Sequence, residues 1–129
     1  MAEGIKSYHD LQVYQAAFET ALEVFRLTES FPKKERFRLA DQMNRASRSV
    51  CANLAEAWRK RRYRAAFIAK ISDAESEACE MQVWISMATQ MGYIDEETGN
   101  RLNMRYHHIL AQLVRIIQTV DKWLIRGPV

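Results

Sequence analysis

The 129-residue chain is long enough for one domain with a sizeable core and too short for two ordinary domains. Gly (4) and Pro (2) are scarce in a chain that is 48% hydrophobic, which excludes collagen-like and low-complexity proteins and favours an almost entirely helical fold. The first residues lack the basic and apolar segments of a secretory signal, and no stretch approaches the roughly 18 uninterrupted apolar residues of a membrane span. We therefore expect a soluble, cytoplasmic protein without a membrane partner.

The net charge of +3 conceals a strong separation of charge along the chain. Residues 33–70 contain twelve Lys and Arg against three acids, a balance of +9, whereas the remaining residues carry a balance of −6. One region of the molecule should therefore be basic and another acidic. Either a polyanion or an acidic face of another subunit could bind the basic region.

The first predicted helix runs from about Ser7, which can cap its start, to about Glu29. Apolar residues at spacings of three and four predict one buried face, made of Leu11, Tyr14, Phe18, Ala21, Phe25 and Thr28. Pro32 then interrupts the helix, because it lacks the backbone donor that a continuing helix needs. Since proline suits the first turn of a new helix, we predict a second helix from Pro32 to about Arg61.

The second predicted helix carries a polar seam beside its apolar stripe. At 100° per residue the seam lies on one narrow face and comprises Gln42, Arg45, Ser49, Asn53 and Glu56. The favoured interpretation is a buried or half-buried polar network that fixes helix register or a subunit contact, with Glu56 pairing with Arg45 or Asn53. Direct contact with a ligand is the alternative. The neighbouring apolar stripe comprises Leu39, Met43, Ala46, Val50, Leu54 and Ala57.

The boundary between the second and third helices is marked by a run of cations: Arg59, Lys60, Arg61, Arg62 and Arg64. These side chains cannot all face one way on a helix, so the run predicts a charged collar at one end of the fold. The collar is either a solvated helix end, favoured by bases near a negative C-terminus, or a phosphate-binding surface. Trp58 and Tyr63 could stack on bases or pack locally. The predicted basic surface extends to Arg48, Lys33, Lys34, Arg36 and Arg38.

The third and fourth predicted helices have the clearest apolar stripes. The third stripe has the alternating spacings of a bundle seam and comprises Phe67, Ile71, Ala74, Ala78, Met81, Ile85 and Ala88. Gly92 can end that helix, Asp95 can cap the next one, and Gly127 and Pro128 close the chain. The fourth stripe comprises Leu102, Tyr106, Ile109, Leu113, Ile116, Val120 and Trp123. Long helices with short connections predict an all-α, antiparallel up-down-up-down four-helix bundle that spans residues 1–129 as a single domain.

No constellation in the sequence meets the requirements of an active site, so we predict no enzyme activity, metal or cofactor. Asp73, Glu77 and Glu80 share one face of the third helix, but the Glu-x-x-His pairs of di-metal bundles are missing. Cys51 and Cys79 lie in helical segments without ligand-like spacing, so we expect both to be reduced and in or near the core.

Several segments together resemble one protein family. HDLQVYQAA near the N-terminus is followed by SFPKKERFRLADQMNRASRSVCANLAEAWRKRR, and MGYI follows the third helix. In these segments the chain is similar to the four-helix proteins encoded in intervening sequences of bacterial 23S ribosomal RNA genes. The most diagnostic residues are Gln42, Arg45, Ala46, Ser49, Ala52, Asn53, Ala55 and Glu56. The family commonly has a Gly after this Glu and then a Gly- or Ser-containing turn, where this chain has Ala57 and the cationic WRKRRYR.

The resemblance implies an up-down four-helix bundle that assembles as a homo-oligomer. Ring-like pentamers are known in the family and in the similar accessory proteins of diversity-generating retroelements, which bind nucleic acid and a reverse transcriptase. Together with the basic segment, the resemblance leads us to expect a non-enzymatic homo-oligomer that binds RNA or DNA through Arg48, Arg59, Lys60, Arg61, Arg62 and Arg64. The alternative is a scaffold that binds only protein, either further copies of itself or an unknown partner.

Overall fold

A computed structural model of the protein describes residues 4–125, which form four α-helices joined by short connections. The helices are α1 (Gln12–Thr28), α2 (Leu39–Arg59), α3 (Arg64–Gln90) and α4 (Glu96–Gln118). Short 3₁₀ turns occupy Tyr8–Asp10, Lys33–Glu35 and Val120–Lys122. Each helix packs against the next, and α1 also packs against α4, which closes an antiparallel bundle. The predicted fold class is confirmed.

The core is built from apolar stripes on α2, α3 and α4 that match the predicted positions. Every residue of the predicted stripes is buried on α2 and α3, and so is every α4 stripe residue up to Val120. Trp123, the last residue of the fourth stripe, is half-buried. Within residues 4–125, no helix is long and apolar enough to cross a membrane.

The buried face of α1 differs from the predicted one. Phe18 and Phe25, which the spacing placed in the core, are 46% and 44% exposed. The face that packs on the bundle is instead made of smaller side chains: Val13, Ala17, Thr20, Val24 and Thr28. The two stripes lie roughly 100° apart around the helix and both satisfy helical spacing. Because the smaller stripe lets α1 approach its neighbours closely, the aromatic stripe is left at the surface.

Two helices begin later than predicted. α1 begins at Gln12 because Tyr8–Asp10 forms a separate 3₁₀ turn, which the Asp10 carboxylate holds by accepting from the backbone N–H groups of Lys6 and Ser7. These two hydrogen bonds lower the pKa of Asp10. α2 begins at Leu39 rather than Pro32, since the intervening residues form a 3₁₀ turn and a further turn.

The connection between α3 and α4 follows the prediction. Gly92 has a φ of 78°, and the backbone N–H groups of Gly92 and Tyr93 donate to the last carbonyls of α3. Asp95 Oδ1 accepts from the Thr98 backbone N–H at 2.7 Å and so caps α4. Gly127 and Pro128, which were predicted to close the chain, lie outside the described residues.

Cys51 and Cys79 are free thiols. Cys51 is half-buried, and burial raises its pKa to about 11. Cys79 is exposed, so its predicted placement in or near the core was wrong. Cys79 comes directly after the buried Ala78 and therefore lies about 100° further around α3, outside the apolar stripe.

Candidate nucleic-acid interface

The predicted run of cations forms the turn between α2 and α3. Arg59 ends α2, Arg64 begins α3, and Arg59, Lys60 and Arg62 are all exposed. Among the described residues, none of these three side chains forms an ion pair with a carboxylate. Arg64 donates from Nη1 to Asp121 Oδ1 at 2.6 Å, while 57% of its side chain remains exposed. The turn therefore presents a concentrated positive charge to solvent.

Arg61 has a different role from the cations on either side of it. The residue is only 8% exposed, and its Cζ lies 3.5 Å from the centre of the Trp58 ring. Its Nε donates to the Trp58 carbonyl at 2.8 Å, and its own carbonyl accepts from the Ile125 backbone N–H at 3.0 Å. Burial, and secondarily the charge of Arg59, lower its pKa. The predicted contact between Arg61 and nucleic acid is thus corrected: Arg61 stacks on Trp58 and joins the turn to the C-terminal segment.

The predicted extension of the basic surface does not form within one subunit. Lys33, Lys34, Arg36 and Arg38 precede α2, whereas the cationic turn follows it. Since α2 has 21 residues, the two groups are separated by roughly 30 Å, the length of the helix. Arg48 is exposed at the middle of α2, about half that distance from either group. The cations that precede α2 and those that follow it therefore do not form one continuous surface.

Two further cations lie at the same end of the bundle as the turn. Arg115 lies in the last turn of α4, and Lys122 lies in the 3₁₀ turn that follows it. The Arg64–Asp121 ion pair and the Ile125–Arg61 hydrogen bond hold this C-terminal segment against the turn. The name basic end refers below to six of the exposed cations at this end: Arg59, Lys60, Arg62, Arg64, Arg115 and Lys122. Sequence reasoning missed the last two, although an antiparallel topology alone places the end of α4 beside the α2–α3 turn.

The basic end adjoins a half-open cleft of about 700 Å³. One wall comes from the start of α1 and the residues before it, and the other from the end of α4 and the segment that follows. Apolar side chains form part of the lining, including Leu11, Val13 and Ile116. The polar and aromatic residues that line the cleft include Gln12, Gln112, Arg115, Thr119, Lys122 and Trp123.

The polar seam of α2 is not a buried network within the subunit. Gln42 and Glu56 are exposed, and the Arg45 side chain is 76% exposed. The seam is instead divided into separate pairs. Arg45 Nε donates to Asp41 Oδ2 at 2.8 Å, and Asn53 Nδ2 donates to Ser49 Oγ at 3.2 Å. The predicted pairing of Glu56 with Arg45 or Asn53 is corrected, because Glu56 Oε2 accepts from Lys70 Nζ at 2.6 Å.

The Glu56–Lys70 pair sets the register between α2 and α3. Because the helices are antiparallel and rise equally per residue, this register places Asn53 level with Asp73 and Ser49 level with Glu77. Burial, followed by the negative charges of Glu80 and Asp73, raises the pKa of Glu77. The seam residues Asn53 and Ser49 and the acidic residues Asp73 and Glu77 thus lie beside one another along the contact between α2 and α3. Across residues 4–125, no group of three or more His, Cys, Asp and Glu side chains is placed to hold a metal ion.

A different surface is apolar. The exposed face of α1 carries Phe18, Leu22 and Phe25, each between 44% and 46% exposed. With Tyr14 and Cys51 they line a groove of about 380 Å³, and Arg48 also lines it. Large exposed side chains of this kind in one patch are typical of an interaction surface.

Comparison with known proteins agrees with this architecture. The family model of the 23S rRNA-intervening sequence protein matches residues 9–115. A solved structure of a protein of unknown function from the S23 ribosomal protein family, from Bacteroides thetaiotaomicron, is 28% identical in sequence. The similarity covers 82% of this chain and 95% of that chain, with a TM-score of 0.74. No curated protein matches the chain. From the extent of the family match, the chain belongs to the 23S rRNA-intervening sequence protein family.

Proposed function

We propose that this protein is a non-enzymatic, homo-oligomeric cytoplasmic bundle that binds RNA or DNA through the basic end, with little sequence discrimination. The observation that carries the proposal is the exposure of Arg59, Lys60 and Arg62 without a carboxylate partner among the described residues. Arg115 and Lys122 add charge at the same end. A polyanion is the class of ligand that neutralises such a cluster.

The arrangement favours contacts with phosphates over contacts with bases. Long, exposed Lys and Arg side chains on a turn neutralise phosphates and release counterions, which gives affinity that depends on salt and little on sequence. Arg48 lies apart from the basic end and beside the apolar groove of α1. In the proposed function Arg48 adds positive charge to the surface of the oligomer, whereas the cations of the basic end make the main contacts with phosphates.

Self-association is supported by two apolar patches on different faces. The first is the exposed face of α1 around Phe18 and Phe25. The second consists of Val83, Met87, Met91 and Met104, which are all 41–54% exposed. Hydrogen bonds from Gln82 to the Asn103 carbonyl and from Asn103 to Ser86 bring Met104 level with this α3 row.

These patches suit a ring rather than a simple two-fold dimer. α1 and α3 are diagonal in the bundle, so a contact between the two patches joins unlike surfaces of neighbouring copies. Repeating such a contact closes a ring when the rotation allows it, and the family resemblance implies a pentamer. A ring would bring several basic ends together and multiply their potential.

The nucleic-acid proposal is tested by neutralising one end of the bundle at a time. The triple variant Arg59→Gln, Lys60→Gln, Arg62→Gln removes three cations from the basic end. The matched control, Lys33→Gln, Lys34→Gln, Arg36→Gln, removes the same charge from the opposite end. Fluorescence anisotropy with labelled RNA and DNA between about 50 and 200 mM salt should show at least a tenfold loss for the first variant. The negative slope of log K against log salt should become shallower by about 2 in the first variant.

Two results would contradict the proposal. One is absence of binding by the native protein even at low salt. The other is an equal loss of affinity in both variants, since net charge rather than the basic end would then account for binding.

A protein scaffold without a nucleic-acid role is the second candidate, and the exposed α1 face favours it. Phe18→Glu should convert the oligomer to a monomer with unchanged helicity, whereas Phe37→Glu should not. Phe37 is a suitable control because it is 83% exposed but lies in the connection before α2. Light scattering and circular dichroism measure the two outcomes. If the native oligomer does not bind nucleic acid even at low salt and Phe18→Glu dissociates it, the scaffold function replaces the first proposal.

A further inference from the structure

We propose that the cleft beside the basic end accepts one unstacked nucleotide, so that the protein's ligand is single-stranded nucleic acid rather than duplex. This inference rests on the proposed function and specifies its ligand. The cleft is about 700 Å³, which lies within the range of pockets that hold small ligands. It is also continuous with the phosphate-binding surface proposed for the basic end.

The walls of the cleft offer the chemistry that a base needs. Trp123 and Ile116 give an apolar wall, and a tryptophan ring provides a stacking surface that tolerates every base. The Trp123 indole N–H donates to Thr119 Oγ1 at 3.3 Å, which helps to fix the ring. Gln12 and Gln112 add side-chain amides, each with both donors and acceptors for the edge of a base.

The charges around the cleft suit a nucleotide's phosphate. Arg115 and Lys122 line the cleft and are both exposed. The Asp10 carboxylate also lines it, but it accepts from the backbone N–H groups of Lys6 and Ser7. The two cations therefore outweigh one carboxylate that is already held by backbone donors.

The C-terminal segment makes the cleft and the basic end one surface. Lys122 and Trp123 directly follow Asp121, which pairs with Arg64 of the cationic turn. Ile125 is tied to the Arg61 carbonyl. A strand whose phosphates contact Arg62 and Arg64 can thus continue towards the cleft and place one base in it. A base in a duplex is paired and stacked and cannot enter such a cleft without unstacking.

A strand without bases separates this inference from simple phosphate binding. Anisotropy at low salt compares three labelled ligands of about ten nucleotides: a single-stranded RNA, a strand of the same charge made of abasic sites, and the corresponding duplex. The single-stranded RNA should bind about tenfold more tightly than the abasic strand, because the abasic strand has no base to stack in the cleft.

Two variants locate the effect in the cleft. Trp123→Leu removes the stacking surface, and Gln12→Trp fills the cleft from the exposed first residue of α1. Each variant should lower affinity for the RNA to that for the abasic strand, without changing affinity for the abasic strand. Two independent variants guard against a folding defect in one, which circular dichroism would detect.

The outcomes distinguish the two proposals. Equal binding of RNA, abasic strand and duplex overturns the cleft inference and leaves phosphate binding by the basic end intact. A preference for RNA that survives in both variants also overturns the cleft inference, since the base then binds elsewhere. Absence of binding to every ligand at low salt overturns the proposed function itself.

Discussion

Both ends of the bundle carry exposed cations, but the two ends are held together in different ways. At the basic end a cation is part of the structure, because the Arg61 guanidinium stacks on Trp58 and its Nε donates to the Trp58 carbonyl. At the opposite end, which we call the far end, contact between small residues joins α3 to α4. The three atoms that would lie nearest to a Cβ at Gly99 all belong to the Thr89 side chain. A cationic run in a sequence can thus contain both the residues of a candidate ligand surface and the residue that holds that surface in place.

The largest effect expected is the loss of the Arg61 contact. Arg61→Ala should lower the free energy of unfolding by about 3 kcal/mol, because it removes a cation–π contact and a charge-assisted hydrogen bond. Arg62→Ala is the matched control. Arg62 is exposed in the same turn, and its substitution should change stability by less than about 0.5 kcal/mol. Urea unfolding followed by circular dichroism measures both.

The nucleic-acid affinities of the same two variants provide a second way to distinguish the structural cation Arg61 from the surface cation Arg62. Arg62→Ala should weaken binding while leaving stability unchanged, since its charge faces solvent. If Arg61→Ala and Arg62→Ala had equal effects on stability, the distinction between the structural cation and the surface cations would be lost.

At the far end, the expected effect is that of overpacking. A Cβ at Gly99 would lie 2.2 Å from Thr89 Oγ1, which is held by its hydrogen bond to the Ile85 carbonyl at 2.8 Å. Gly99→Ala should therefore destabilise the protein by about 1–3 kcal/mol. A Thr89→Ala background removes the contact at 2.2 Å and leaves only the one at 3.3 Å with the Cβ of residue 89. Since the helix preference of Ala over Gly is worth about 1 kcal/mol, the cost of Gly99→Ala should be much smaller in that background.

The double-mutant cycle tests whether the Thr89 side chain causes the cost of Gly99→Ala. A cost for Gly99→Ala that is the same in both backgrounds would show that the Thr89 side chain is not what excludes a larger residue. Thermal unfolding of the four proteins in the cycle provides the comparison.

Much of the fold was predictable because the apolar stripes of α2, α3 and α4 are unambiguous. Every predicted α3 stripe residue from Phe67 to Ala88 is buried. α1 was not predictable from spacing alone, because it carries two apolar stripes and only tertiary packing selects between them. The small stripe containing Ala17 and Val24 was buried, and the aromatic one was left exposed.

The candidate site was less predictable because it is assembled from residues distant in sequence. The cationic turn was visible as a run, but its neighbours Arg115 and Lys122 come from another helix end and become visible only once the topology is known. The role of Arg61 was hidden for a related reason. Nothing in the sequence distinguishes it from Arg62, and only the approach of its guanidinium to Trp58 does so. Membership of a polar seam likewise did not imply burial, as the exposed Arg45 shows.

The smallest expected effect is a pH-dependent one at the far end. Tyr93 Oη donates to Glu35 Oε2 at 2.7 Å, and this hydrogen bond is the main cause that lowers the pKa of Glu35. A carboxyl whose pKa is lower in the folded state contributes stability above its unfolded pKa of about 4.3 and loses that contribution as the pH falls through the folded pKa. Tyr93→Phe keeps the ring against Phe31, whose centre is 5.2 Å away, and removes only the hydroxyl.

The melting temperature of the native protein should therefore exceed that of Tyr93→Phe near neutral pH, and the difference should shrink at an acidic pH low enough to protonate Glu35. The Arg61–Trp58 contact serves as a pH-independent reference, because an arginine remains charged throughout this pH range. The stability difference between the native protein and Arg61→Ala should accordingly stay nearly constant with pH, while that of Tyr93→Phe does not. A difference for Tyr93→Phe that is equally large at both pH values would assign its effect to packing and remove the electrostatic contrast between the two ends.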